Sequence, residues 1–299
     1  MKKVSVKKGA ACMACLECVR ACSQAFYKEF HQDKACIQVV EKNGAPKPLT
    51  CIQCGKCAKA CEAGAITQNP KTGVYMINKK LCTGCGKCAE VCPTNARSVL
   101  VHEVDADEVL EAIQKHRLFY AMSGGGITFS GGEATGQPKF LNYLTEHIYD
   151  LGYSMTIETS GFFEFEDVRE SLERMDLIFM DLKHIDSATH QKYTGIPNEK
   201  ILENMKRLQH LPGEVVIRIP VIGGVNNDED NIRRSSAFVH ANIPKARMEL
   251  LPYHNFGIIK YEAIGRPYQK DAFYRPSVEE MNHLREIVAG EGIESADFR

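Results

Sequence analysis

Gly124-Gly-Gly-Ile-Thr-Phe-Ser-Gly-Gly-Glu133 sets a short apolar strand between two glycine turns. Downstream, Pro138 opens a helix with Phe140, Leu144, Ile148 and Leu151 on one face and Gly152 as its stop. Strands are then expected at Tyr153–Thr159, Leu177–Asp181, Val215–Pro220 and Met248–Leu251, with helices near 166–174, 199–210 and 230–241. Upstream, Asp105-Ala-Asp-Glu108 is a capping-box start to an amphipathic helix through about His116, and Ser277-Val-Glu-Glu280 caps a final helix. Gly292-Ile-Glu294 is expected to add a last short strand. Apolar strands alternating with helices mean an α/β fold on a parallel sheet with covered faces, open or closed into a barrel. Sites in such folds sit at the carboxyl ends of the strands.

Several polar groups fall at those ends: Ser130-Gly-Gly-Glu133, Glu158-Thr-Ser-Gly161, Asp181-Leu-Lys183-His184, Arg218 and Leu251-Pro-Tyr-His254. Singly, each has a plain structural reading, since a glycine pair is usually a turn and Asp-x-Lys can be a surface ion pair. Together they converge on one edge of the sheet.

The region before this pattern has a different composition. All thirteen cysteines of the 299-residue chain lie between Cys12 and Cys92. Three runs share the spacing C-x2-C-x2-C-x3-C: Cys12, Cys15, Cys18, Cys22; Cys51, Cys54, Cys57, Cys61; and Cys82, Cys85, Cys88, Cys92, followed by Pro93. In such a run the first three thiolates wrap one [4Fe–4S] cubane and the fourth reaches a neighbouring one. Structural zinc uses two separated ligand pairs instead, and disulfides belong to oxidising compartments. The start of the chain has basic residues without an apolar stretch behind them, and no run of about eighteen apolar residues follows anywhere. The expectation is a cytoplasmic protein that does not enter a membrane.

The near-neutral net charge of −1 hides a division. Residues 1–100 carry a net +10 and residues 101–299 a net −11. A basic half can mean nucleic acid, but no basic stripe interleaved with aromatics is present. A cubane on four thiolates carries roughly −2 when oxidised, and Lys56, Lys59 and Lys87 stand beside the cysteines to offset it. The reading is two domains, an iron–sulfur domain at 1–100 and an α/β domain at 101–299, with no nucleic-acid partner.

The second and third runs repeat at 31 residues, Cys51-Ile-Gln-Cys-Gly-Lys-Cys-Ala against Cys82-Thr-Gly-Cys-Gly-Lys-Cys-Ala, with a strand expected at Gly73–Asn78 between them. From Thr50 to Ser98 this resembles the bacterial two-cluster ferredoxin. The resemblance implies crossed ligation: Cys51, Cys54 and Cys57 with Cys92, and Cys82, Cys85 and Cys88 with Cys61. The first run resembles the opening of larger multi-cluster subunits, whose first run is partnered by a fourth. No fourth run exists here, so Cys22 lacks an obvious second cluster; Cys36 is either the missing ligand of the first trio or a buried small side chain.

The set Ser-Gly-Gly-Gly-Ile-Thr-Phe-Ser-Gly-Gly-Glu-Ala, Glu-Thr-Ser-Gly, Asp-Leu-Lys-His, Ile-Arg-Ile-Pro and Glu-Leu-Leu-Pro-Tyr-His is similar to that of the activating enzymes of glycyl radical enzymes, the group that includes the pyruvate formate-lyase activating enzyme. The resemblance implies a partial parallel (β/α) barrel of the radical S-adenosylmethionine (SAM) type, preceded by a ferredoxin-like [4Fe–4S] domain. It places Gly131, Gly132 and Glu133 along the methionine part of SAM, with backbone and carboxylate meeting the ammonium. It places Thr159, Asp181, Lys183 and His254 around the ribose and carboxylate, and Arg218 at SAM or at the incoming glycyl peptide. Glu158 stands where relatives often have Asp, beside a monovalent-cation site. The implied reaction is reductive SAM cleavage that generates a glycyl radical on a partner enzyme, with a flavodoxin or ferredoxin as reductant and the chain's own clusters as relay.

One expected motif is missing. The family's SAM-cleaving cluster sits on C-x3-C-x2-C after the first barrel strand, and no cysteines here have that spacing. Only eleven residues precede Cys12, too few for a strand and helix. Three readings follow: Cys12, Cys15 and Cys18 form a variant open-iron trio; the chain is rearranged or truncated; or the barrel binds SAM or a partner without cleaving it. The first run is expected to be ferredoxin-like, because its spacing copies the other two. The alternative function is a non-catalytic [4Fe–4S] electron-transfer protein with a degenerate barrel.

Overall fold

The structure, a computed structural model, describes residues 12–28, 35, 37–42, 45–97, 99, 103–254, 261 and 273–298. Cys36 lies outside them. The chain divides into two compact units, Met1–Glu103 with Phe256–Tyr268, and Val104–Asn255 with Gln269–Arg299.

The first unit holds helix α1 (Glu17–Tyr27), an antiparallel pair β1 (Ile37–Lys42) and β2 (Ala45–Thr50), and a second antiparallel pair β3 (Ile66–Gln68) and β4 (Tyr75–Ile77). One-turn helices α2 (Lys56–Lys59) and α3 (Lys87–Glu90) follow the second and third cysteine loops. Its apolar centre is small: Val19, Cys22, Ile37 and Val74, with Leu16, Ala35, Val39, Cys51 and Met76 packed around them. An apolar centre of this size, among the described residues, is what a unit stabilised by metal would show. Lys87, expected to offset cluster charge, is paired with Glu62 at 2.5 Å.

The second unit begins with α4 (Ala106–Gln114), whose Asp105 and Glu108 form the expected capping box, and α5 (Arg117–Ser123). Five strands follow: β5 (Gly126–Phe129), β6 (Ser154–Thr159), β7 (Leu177–Asp181), β8 (Glu214–Val221) and β9 (Arg247–Pro252). All neighbours are parallel and the order is β5-β6-β7-β8-β9. An in-sequence parallel order is that of a barrel segment; a doubly wound sheet reverses direction in the middle. Between the strands run α6 (Pro138–Asp150), α7 (Phe165–Glu173), α8 (Ser187–Thr194), α9 (Glu199–Arg207) and α10 (Glu229–Asn242), and α11 (Val278–Gly290) closes the unit.

Strand alternation sorts the sheet's two faces. Ile157, Ile178, Met180, Ile217, Ile219, Met248 and Leu250 point into one core with Leu144, Ile148, Leu172, Met205, Ile232 and Leu284 of the helices. The opposite face carries Glu158 level with Phe179 on β6 and β7, and, two residues further along, Asp181, Arg218 and Glu249 level with one another on β7, β8 and β9. Two details differ from the sequence reading. Leu141, 2% exposed, takes the core position expected of Leu151, which is 40% exposed at the helix end. Gly292–Glu294 forms no strand; Ser295 makes a single bridge to Met248.

Candidate active site

The turn after β5 is built around one carboxylate. Glu133 Oε1 accepts from Thr135 N at 3.3 Å, Thr135 Oγ1 at 2.8 Å and Thr159 Oγ1 at 2.8 Å. Its Oε2 accepts from Ser160 N at 2.8 Å and Ser160 Oγ at 2.6 Å. Burial works to raise this carboxyl, but the donors of Ser160, Thr135 and Thr159 outweigh it and hold it below the ordinary carboxylate range. The side chain therefore ties the β5 turn to the end of β6. Gly131, with φ of +95°, and Gly132 face open space where a Cβ would stand, so the backbone there is accessible to a ligand.

The end of β6 is fixed from behind. Gly161 has φ of +82°, and a Cβ on it would come within 2.9 Å of Ile201 and 3.1 Å of Met180. Buried Asn204 donates to the carbonyls of Gly161 and Phe163. A second set of buried asparagines holds the next two strand ends. Asn226 Nδ2 donates to Lys183 O at 2.7 Å and Pro220 O at 2.9 Å, Asn198 Nδ2 to the His184 and Ile185 carbonyls, and Asn231 accepts from Ile185 N. No spacing in the sequence marks these asparagines.

Asp181 closes β7, and Lys183 Nζ stands 3.6 Å from its Oδ2. Burial pushes the Asp181 carboxyl up, against the pull of Lys183 and Arg218; Glu133 is near enough to add to the rise. Arg218 on β8 has three partners. Its Nε donates to Glu249 Oε2 and its Nη1 to Glu158 Oε1, both at 2.7 Å, and its guanidinium lies 3.4 Å from the Phe179 ring centroid. Glu249 is buried and also accepts from Phe298 N at 3.1 Å. Arg218 thus stiffens the sheet face, and Glu158 is its partner. His254 is exposed just beyond β9. The predicted residues lie along the carboxyl side of the sheet from β5 to β9 with two exceptions: Arg218 stands in the middle of β8, level with Asp181, and Thr159 is buried on the core side and reaches the site only through Glu133.

In the first unit Cys51, Cys54, Cys57 and Cys92 line one cavity with Tyr75, Thr94 and Arg97. Burial raises the Cys51 thiol. For Cys92 burial works in the same direction, but donors at Thr94, Ala96 and Arg97 prevail and lower it, with Ala96 N 3.2 Å from the sulfur. Four thiols around a cavity with amide donors on one sulfur fit a cubane. Among the described residues, no three His, Cys, Asp or Glu side chains close around a single ion.

A family model described as the radical SAM superfamily matches residues 81–235, and one described as a 4Fe–4S dicluster domain matches residues 50–96. The chain is 38% identical over 226 residues to the choline trimethylamine-lyase activating enzyme of Oleidesulfovibrio alaskensis, covering 74% of this chain and 73% of that one. It is 35% identical over 246 residues to the trans-4-hydroxy-L-proline dehydratase activating enzyme of Clostridioides difficile, covering 79% and 78%. The chain belongs to the activating enzymes of glycyl-radical enzymes. Within that family it is a radical SAM, iron–sulfur protein, and the reading of a non-catalytic electron carrier finds no support among these relatives. The SAM-bound structure of Streptococcus suis SuiB shares the fold, with a TM-score of 0.50 and 15% identity over 67% of this chain and 44% of that one. Among the described residues, no helix is long and apolar enough to cross a membrane.

Proposed function

We propose that this activating enzyme binds SAM along the carboxyl edge of its five-stranded sheet and serves a glycyl-radical enzyme as its protein substrate. The observation that carries the reading is the open Gly131–Gly132 turn, fastened by Glu133 beside the Asp181–Lys183 pair. Because the Glu133 carboxylate is saturated by five donors, the turn's backbone carbonyls meet the SAM ammonium and Glu133 fixes their direction. Lys183 receives the SAM carboxylate, and Asp181 and His254 face the ribose; Thr159, buried and bonded to Glu133, supports the turn and does not itself meet SAM. Arg218, held by Glu158 and Glu249, keeps the floor of the site rigid.

Iron–sulfur clusters supply the electron for reductive cleavage of the SAM sulfonium bond, with hydrogen removed from a glycine of the partner. Cys51, Cys54, Cys57 and Cys92 hold one relay cluster, and Cys82, Cys85, Cys88 and Cys61 the other. A flavodoxin or ferredoxin in the cytoplasm delivers the electrons. The test is electron paramagnetic resonance of the anaerobically reconstituted, reduced protein with and without SAM. A cluster signal that changes on SAM addition is expected; an unchanged signal overturns the reading.

A further inference from the structure

Three loops of the cysteine-rich unit have one backbone, and only one of them has both glycines that make it easy. In the third run Gly84 and Gly86 have φ of +76° and +77°; in the second, Gln53 and Gly55 have +57° and +74°. The same two positions of the first run are Ala14 and Leu16, at +56° and +58°. In each loop the helix begins at the next residue: Glu17, Lys56 or Lys87. A side chain with a Cβ in this region carries a steric cost, and such conformations persist where surrounding structure or a ligand requires them. Ala14 is exposed, so packing of its side chain does not hold it there. Left-handed residues beside cysteines turn backbone N–H groups into a concavity of the kind that holds anions, iron–sulfur clusters included.

We propose that Cys12, Cys15 and Cys18 hold a third [4Fe–4S] cluster in a loop of the ferredoxin type, with Cys22 a core residue and not one of its ligands. The 4Fe–4S dicluster match ends short of this loop, covering residues 50–96. In a C-x2-C-x2-C-x3-C run the fourth cysteine points away from its own cluster. Those of the second and third runs serve each other's clusters, which closes that pair. Cys22 stands one helical turn beyond Cys18 on α1, 5% exposed, in the apolar centre with Val19, Ile37 and Val74. Leu16, from the loop itself, packs on the same centre, as does Cys51 of the second run. The first loop is thereby anchored to the dicluster region by the unit's own core.

The claim does not depend on SAM binding, and its test does not use SAM. Iron and acid-labile sulfide are counted per full-length chain after anaerobic reconstitution with ferrous iron and sulfide. The expected counts are about twelve irons for the unaltered chain and about eight for the combined Cys12→Ser, Cys15→Ser and Cys18→Ser variant. Cys22→Val, which keeps an apolar side chain in the core, retains about twelve. Ala14→Gly also retains about twelve, whereas Ala14→Val, a β-branched residue unsuited to positive φ, falls to about eight. About eight irons in the unaltered chain, or stoichiometric zinc in the first loop, overturns the site. A fall to about eight in Cys22→Val overturns the ligand assignment.

Discussion

Asp181 and Glu133 sit within one electrostatic neighbourhood and are shifted in opposite directions. Glu133 is ionised more readily in the fold than in the unfolded chain. Its contribution is complete above the ordinary carboxylate range and is lost as pH falls through its lowered folded value. Asp181 is the reverse: its carboxyl is raised in the fold, so stability declines as pH rises from the ordinary carboxylate range through its raised folded value. Asp181→Asn is therefore expected to raise Tm at pH 7 while weakening SAM binding. Glu133→Gln is expected to lower both, since hydrogen bonds to a charged group are worth about 1.5–3 kcal/mol each. Thermal melts and SAM titrations check both; a lower Tm for Asp181→Asn would contradict the assigned role. The sequence marks both residues by position but not their partners. Ser160 lies 27 residues from Glu133, and Glu249 lies 31 from Arg218. Such pairings depend on strand register, which local spacing does not encode.

At the scale of elements, what is local is legible. The capping boxes at Asp105 and Ser277 form as expected, and the ends of β6 to β9 agree to about one residue, whereas the strand expected at Gly73–Asn78 is shorter, Tyr75–Ile77. Helices α5 and α8 carry no such local signal. Arg117–Ser123 has Leu118, Phe119 and Met122 exposed, and Ser187–Thr194 has little apolar periodicity. The asparagines behind the site also escape sequence reading, because a buried asparagine and a loop asparagine look alike without the fold. Asn226 holds the carbonyls of Lys183 and Pro220, so it couples the β7 and β8 ends. Asn226→Ala leaves both carbonyls without this donor, at a cost of about 1–3 kcal/mol. A lower denaturant midpoint with weaker SAM binding is expected; an unchanged midpoint would remove Asn226 from the support of the site.

At the scale of the molecule, the two units have opposite chemistry. Residues 1–100 are basic and rich in cysteine with a small apolar centre, while the acidic remainder buries a large core under a five-stranded parallel sheet. The alternation of strands and helices makes the second unit legible, and cysteine spacing makes the dicluster loops legible. The first loop is less so: its spacing is visible, but the left-handed conformation of Ala14 and Leu16 is not. The proposed function gives both units a part: clusters that deliver an electron, and a sheet edge that holds SAM. The most direct measurement is 5′-deoxyadenosine formed by the reconstituted, dithionite-reduced chain given SAM under anaerobic conditions. Formation of 5′-deoxyadenosine that is abolished by chelating the iron is the predicted result. No 5′-deoxyadenosine above the level of the iron-free chain would contradict it.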